Sequence, residues 1–236
     1  MHRLSDPNIA LLERAVEQLG PLVDEMVFVG GCATGLLLTD TAAPPIRATQ
    51  DVDALTEVAT RGEYYRLSAR LRARGFSEDQ SPDAPLCRWV AAGVILDVMP
   101  TNPDILGFGN EWYEQALRHP DAFVLPSGAH IRVVTSPHFL ATKLAAFEGR
   151  GNNDYVISRD IEDVVAVLDG RPEIVKEVAA TDIKLQRHLK NACEGLLSNA
   201  NFVAAVSGHL PSDAASQSRL PLVLERLKAI AVFDYS

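Results

Sequence analysis

A chain of 236 residues, 47% of them apolar and 22% charged, has the balance of a packed globular protein of one large domain or two small ones, which excludes wholesale disorder. No apolar run approaches the ~18 to 20 residues that span a bilayer, and Met1-His2-Arg3-Leu4-Ser5-Asp6-Pro7 has no signal-peptide core, so a cytoplasmic protein is expected. The net charge of −9 disfavours non-specific wrapping of duplex nucleic acid, whose affinity comes from counterion release to a basic surface, but a local basic patch could still bind one structured RNA. The three cysteines, Cys32, Cys87 and Cys193, are widely spaced and form no Cys-x-x-Cys pair, which argues against a disulfide framework and against a zinc site.

In chain order, Ser5 or Asp6 can cap a helix that Pro7 starts; Ile9, Leu12, Val16 and Leu19 then recur at helical spacing until Gly20-Pro21 ends it. Residues 26–30 read as a strand, and Gly30-Gly31-Cys32 leads from it into a helix over 32–38. Neither glycine has a Cβ, so the backbone there can approach a phosphate group at a helix N-terminus. A turn-rich loop follows, in which Arg47 is either a phosphate contact or a solvated charge. It leads to the strand Thr49-Gln50-Asp51-Val52-Asp53-Ala54-Leu55, whose period of two puts Asp51 and Asp53 on one face.

Residues 61–74 form a helix by pattern, with Arg66, Arg70 and Arg74 on one side as a solvated face or an RNA-facing stripe. The segments 86–91 and 94–99 flank Ala92-Gly93 as a β-hairpin. Ile95, Asp97 and Met99 share one face of the second strand, and Asp97 is thereby expected beside the Asp51/Asp53 strand. A further hairpin, 123–125 with 130–134, completes the sheet.

Beyond it the pattern turns helical, with Ser136 as cap and Pro137 at the first position. Helices are expected over 136–148, 158–168, 172–180, 182–206 and 221–233, with a loop over 209–218. Lys143, in an otherwise apolar stretch, is either snorkelling or paired, and Arg159, Asp160 and Asp163 could form an internal ion pair. The expected fold is α+β: a mixed sheet domain with flanking helices over 1–135, then an all-helical part over 136–236 closing a cleft where the site would lie.

Carboxylates in this arrangement suit a hard ion such as Mg²⁺, and two such ions can clamp the attacking and leaving oxygens of an in-line phosphoryl displacement. The order Gly30-Gly31, Asp51-x-Asp53, then Asp97 on an apolar strand resembles the signature of nucleotidyltransferases of the DNA polymerase β-like superfamily. Lys143-Leu-Ala-Ala-Phe-Glu-Gly-Arg150 and Ser158-Arg159-Asp160-Ile-Glu-Asp163-Val164 resemble later motifs of its AbiEii/MenT-like toxin branch, so the resemblance covers roughly residues 25 to 170.

The resemblance implies a nucleotidyltransferase fold, with Mg²⁺ or Mn²⁺ on Asp51, Asp53 and Asp97, an NTP as substrate, and Lys143 on its triphosphate with help from Arg150 and support from Asp160. It also implies a tRNA 3′ end or a protein as acceptor, and a cognate antitoxin as partner. If RNA is the acceptor, Lys184, Arg187 and Lys190 are a second candidate contact. Many relatives have serine where this chain has Cys32, and a thiol is a poorer donor to phosphate, so the backbone N–H groups would carry that contact or binding would be weaker. Two other readings stay open: a small-molecule, aminoglycoside-type nucleotidyltransferase whose acidic surface attracts a polycation, and a non-catalytic nucleotide-binding module.

Overall fold

The structure is a computed structural model that describes residues 6–151 and 153–232. The chain divides into two units. Among the described residues, a sheet unit comprises 6–35 and 47–135, and a helical unit comprises 36–46 and the chain from 136 onward. An α+β architecture results, with a mixed sheet, flanking helices and a helical C-terminal part.

The sheet unit opens with α1 (Ile9–Leu19), which buries Leu11, Leu12, Ala15, Val16 and Leu19 on one stripe. Of the two expected caps, Ser5 lies outside the described residues, and the Asp6 carboxylate accepts the Asn8 N–H at 2.8 Å just before the helix. A 3₁₀ turn (Gly20–Glu25) leads to β1 (Met26–Val29), buried along its whole length, and α2 (Gly30–Leu37) follows without a loop. Next come β2 (Asp51–Thr56) and α3 (Arg61–Ala73), whose start is fixed by a reciprocal pair of bonds between Thr60 and Glu63. Then follow β3 (Ser77–Glu78), β4 (Arg88–Ala91), β5 (Val94–Pro100), α4 (Tyr113–Arg118), β6 (Pro120–Val124) and β7 (His130–Val134).

Among the described residues these strands form one seven-stranded sheet in the order β3-β4-β5-β2-β1-β7-β6. The β4–β5 hairpin turns on Ala92 and Gly93, at φ 45° and 78°; a two-residue turn with both φ positive matches the twist of the strands it joins. Its register pairs Arg88 with Asp97, while β2 runs parallel to β5 with Asp53 beside Asp97. β1 runs antiparallel to β2 and ends with Val29 opposite Asp53, so the Gly30-Gly31 turn sits at the end of the sheet where the carboxylates lie.

The helical unit consists of α5 (Ser136–Arg150), α6 (Arg159–Gly170), α7 (Ile174–Ala179), α8 (Ile183–Ser198), α9 (Ala200–Ala205), α10 (Ala214–Gln217) and α11 (Leu220–Ala231) around Phe139, Leu144, Ile161, Val164, Leu189, Phe202 and Leu227. The helix expected over 182–206 is interrupted. Asn199 adopts an extended conformation (φ −95°, ψ 110°), and its side chain accepts the N–H groups of Asn201 and Phe202, ending one helix and capping the next. The expected loop over 209–218 contains the short α10, capped by Asp213. Segment 36–46 belongs with these helices through polar ties. Thr39 and Asp40 donate their N–H groups to Gly170 O, Arg171 donates to Leu37 O at 2.7 Å, and Arg219 bridges Asp40 and Asp169 at 2.6 Å to each.

One buried side chain ties the segments that frame the sheet's carboxylate end. Asn8, 1% exposed, accepts the Thr49 N–H at 2.9 Å and donates to Arg47 O at 3.2 Å, with Gly31 O at 3.5 Å. Removing it leaves the partly buried Thr49 N–H and Arg47 O without this partner, each loss worth about 1–3 kcal/mol. Asn8→Ala is therefore expected to lower the unfolding free energy by about 2–4 kcal/mol in denaturant titration. Asn8→Asp keeps the acceptor and should fall between. A midpoint unchanged by Asn8→Ala would show that Asn8 does not hold these segments.

Candidate active site

At the carboxylate end of the sheet the local structure decides where each group points. Asp51 and Asp53 alternate with the buried Val52 and so face the same way. Asp97 shares that side because residues paired in register on neighbouring strands project together. The expected juxtaposition of Asp51, Asp53 and Asp97 is thus what strand pairing delivers. Asp97 is the most enclosed of the three, at 7% exposure.

Gly30 has φ 68°, a conformation that L side chains rarely adopt, and a Cβ built there would overlap the Asp53 carboxylate. This glycine is needed first to admit Asp53. At Gly31 an added Cβ would come within 3.1 Å of Arg47 Nη2 and 3.5 Å of Thr49, so Arg47 is held over the Gly-Gly turn. The Thr49 hydroxyl donates to Asp51 Oδ1 at 2.8 Å and orients that carboxylate. Cys32 is buried and its thiol donates to Val29 O at 3.1 Å, the strand end it follows, so this side chain is turned away from the Gly-Gly turn.

Arg88, which belongs to no sequence motif, joins Asp97 to Asp51. Its Nε and Nη2 donate to Asp97 Oδ1 and Oδ2 at 2.8 and 2.7 Å, a two-pronged grip, and Nη2 reaches Asp51 Oδ2 at 3.0 Å. The Asp97 hydrogen bonds push the guanidinium pKa further above its already high value, with Asp51 adding to the effect. Cys87, adjacent in sequence, is a buried thiol pushed up to about 12, by burial first and by Asp97 and Asp53 next; it stays neutral and is no nucleophile.

The resemblance read from the sequence implies a divalent cation on these carboxylates. Three carboxylates on two paired strands are the hard oxygen donors such an ion takes, and a cation already sits on two of them, the Arg88 guanidinium standing in for the metal. In kind and register the donors fit. With Asp51 and Asp97 turned to Arg88, however, no group of three or more His, Cys, Asp or Glu side chains among the described residues is gathered to hold a metal as it stands.

The remaining candidates lie in the helical unit. Lys143, 8% exposed, places Nζ 2.7 Å from Asp163 Oδ2 and 3.3 Å from Asp160 Oδ1, with its ammonium 5.7 Å from the centre of the Phe139 ring. Arg150 reaches the same Asp160 with contacts of 3.1 and 3.2 Å while its side chain stays 72% exposed. Ser158 caps α6 just before Asp160, its hydroxyl accepting the Ile161 N–H at 3.3 Å. Lys143, Asp160 and Asp163, all buried, and the exposed Arg150 thus form one ion-pair network joining α5 to α6.

The arginine stripe on α3 is largely spent on internal contacts. Arg70 grips Glu25 with both amino groups at 2.7 and 2.5 Å and holds that carboxyl below its usual range, and Arg74 donates to the carbonyls of Gln18 and Glu17 at 2.9 and 3.2 Å. Arg66 is loosely associated with Glu63 at 3.9 Å, its side chain 72% exposed.

No family model matches this chain, and no curated protein matches it. Among solved structures it is similar to a candidate nucleotidyltransferase from H. pylori, at 14% identity over 97% of this chain and 96% of that one, with a TM-score of 0.48. It is also similar to JHP933 from Helicobacter pylori, at 12% identity over 98% of this chain and 94% of that one, with a TM-score of 0.44.

Proposed function

We propose that this chain is a nucleotidyltransferase that moves a nucleoside monophosphate from an NTP to a hydroxyl of an RNA, such as a tRNA 3′ end, or of a protein. By its sequence resemblance it would act as the toxin of a toxin–antitoxin pair. The reading is carried by one observation: Asp53 lies in register beside Asp97 on a parallel strand pair, with Asp51 on the same face and the Gly30-Gly31 turn against Asp53. Like charges paired across neighbouring strands are costly to fold, and such a carboxylate cluster is useful to metal-assisted phosphoryl transfer.

Asp51, Asp53 and Asp97 would hold Mg²⁺ or Mn²⁺, which supplies charge neutralisation at the phosphoryl group. The rest is assigned to the chain itself. The first N–H groups of α2 face the phosphates, Asp51 is kept in place by Thr49, and Asp97 takes the acceptor's hydroxyl proton. The acceptor oxygen then bonds to the α-phosphorus as the bond to pyrophosphate breaks. A second reading, transfer to a polycationic small molecule, is favoured by the net charge of −9 together with the internal use of Arg70 and Arg74, which removes much of the positive stripe an RNA would need.

The test is to incubate purified protein and Mg²⁺ with each α-labelled NTP and, separately, total RNA, cell protein or an aminoglycoside. Label is expected in RNA or protein. Label in the aminoglycoside alone selects the second reading, and label in no acceptor rejects transferase activity. EDTA is expected to stop transfer and Mn²⁺ to restore it; full-rate transfer in chelator would refute the metal assignment.

Asp53→Asn preserves shape but removes a ligand charge, so turnover should fall by about a hundredfold or more with the folded state intact, as judged by circular dichroism and thermal melting. Parent-like turnover in that variant would remove Asp53 from the site.

Lys143 should fail differently. Its loss leaves two buried carboxylates with less positive charge, and breaking a buried pair costs about 3–5 kcal/mol, so Lys143→Ala is expected to lower stability by that order. Unchanged stability with weakened NTP binding would instead assign Lys143 to the nucleotide.

A further inference from the structure

We infer that Arg88 is a built-in competitor of the divalent cation: its guanidinium occupies Asp97 and Asp51 in the resting protein and must leave them before a metal ion can bind. The inference rests on the nucleotidyltransferase reading only in taking those carboxylates as metal ligands, and it concerns what this chain does before any substrate arrives.

Three observations support it. Arg88 bonds both oxygens of Asp97, at 2.8 and 2.7 Å, so a metal ion brought to either oxygen meets a lone pair already in use and the charge of the guanidinium beside it. The same Nη2 takes Asp51 Oδ2 at 3.0 Å, while Thr49 holds the other Asp51 oxygen at 2.8 Å, so Asp51 is turned toward the arginine by two partners. The arginine is also fixed there by the fold: it lies opposite Asp97 in a hairpin whose two-residue turn sets the register, and its side chain is only 23% exposed.

A solvated surface arginine would gain little from such a pair, but this one is largely enclosed and bonded to two carboxylates, Asp97 and Asp51, whose mutual repulsion it offsets. Metal and guanidinium then compete for the same oxygens, and the apparent metal affinity is reduced by the fraction of molecules in which Arg88 is in place. Arg88 is a positioning residue in this sense: it sets the resting arrangement of the ligands rather than touching the reacting atoms.

The experiment measures Mn²⁺ alone, without nucleotide or acceptor, on purified full-length protein stripped of metal. Free Mn²⁺ is counted by electron paramagnetic resonance, and thermal melting is followed in parallel. Arg88→Gln is expected to bind Mn²⁺ at least about tenfold more tightly than the parent, and to melt lower without metal but gain more from added Mn²⁺. Adding Asp53→Asn to it should weaken that binding, which locates the ion on the carboxylates. Arg88→Lys keeps a charge but loses the two-pronged grip, and it should lie between parent and Arg88→Gln; it serves as the measure should Arg88→Gln not fold.

Equal affinity in the parent and the variants, or weaker binding in the variants, would overturn the competitor role while leaving the metal assignment standing. No Mn²⁺ binding by the parent or by either variant would overturn both.

Discussion

Like charges on neighbouring strands repel, and the sheet of this protein sets Asp53 directly beside Asp97 with Asp51 on the same face. A fold that accepts this arrangement must supply compensation nearby. It does so on the next strand, where Arg88 binds Asp97 with two donors and Asp51 with one, and on the other side, where Gly30 leaves room for the Asp53 carboxylate to sit against backbone. Thr49 and Asn8 extend the support outward, the first holding Asp51 and the second joining the chain before α1 to the segment that carries Thr49. The cluster is thus a feature of sheet register, with the neighbouring side chains chosen to make that register affordable.

The parts of the fold that were legible in sequence are those where a period or a turn decides the outcome. Alternation placed Asp51 and Asp53 on one face, the apolar run around Asp97 identified its strand, and Ala92-Gly93 located the hairpin. Arg88 was legible by the same rule: a two-residue turn at 92–93 pairs 91 with 94 and, three residues further out, 88 with 97. A search for metal ligands and phosphate loops does not look for the cation on the facing strand, although three carboxylates call for one. Asn8 gave no such signal, because its partners are backbone groups far away in sequence that only the folded chain brings to it. Asn199 was obscured differently. A polar residue within an apolar helical period is compatible with one long helix, and only its extended backbone shows that it caps a second one.

The helical unit treats charge in the opposite way from the sheet unit. Lys143 is surrounded by Asp163 and Asp160, and Arg150 closes the outside of Asp160, so two cations meet two anions and the network is balanced within itself. A buried, balanced set is costly to desolvate and gives weak net stability, but each member is costly to remove alone. The same motif residues that resemble a nucleotide-binding segment therefore have a sufficient structural reason to be present. Exposure separates the two cations: Lys143 is enclosed, whereas the Arg150 side chain remains largely open to solvent.

The Gly30-Gly31 turn shows how one feature can be required twice. Read from sequence, the pair suggests close approach of a phosphate to backbone N–H groups. In the structure the positive φ of Gly30 and the overlap that any Cβ would make with Asp53 already demand glycine there, before any ligand is considered. Cys32 completes the account, since its thiol is turned back onto Val29 O and lends nothing to an incoming anion. A serine in its place could make the same backward bond or release it to hydrogen-bond a phosphate, and the second option is weaker for a thiol. The positive groups at this turn are the backbone N–H groups at the start of α2 and Arg47, which stands over Gly31. The Asp53 carboxylate excludes a Cβ at Gly30 and Arg47 crowds one at Gly31, so two consecutive glycines meet opposite charges.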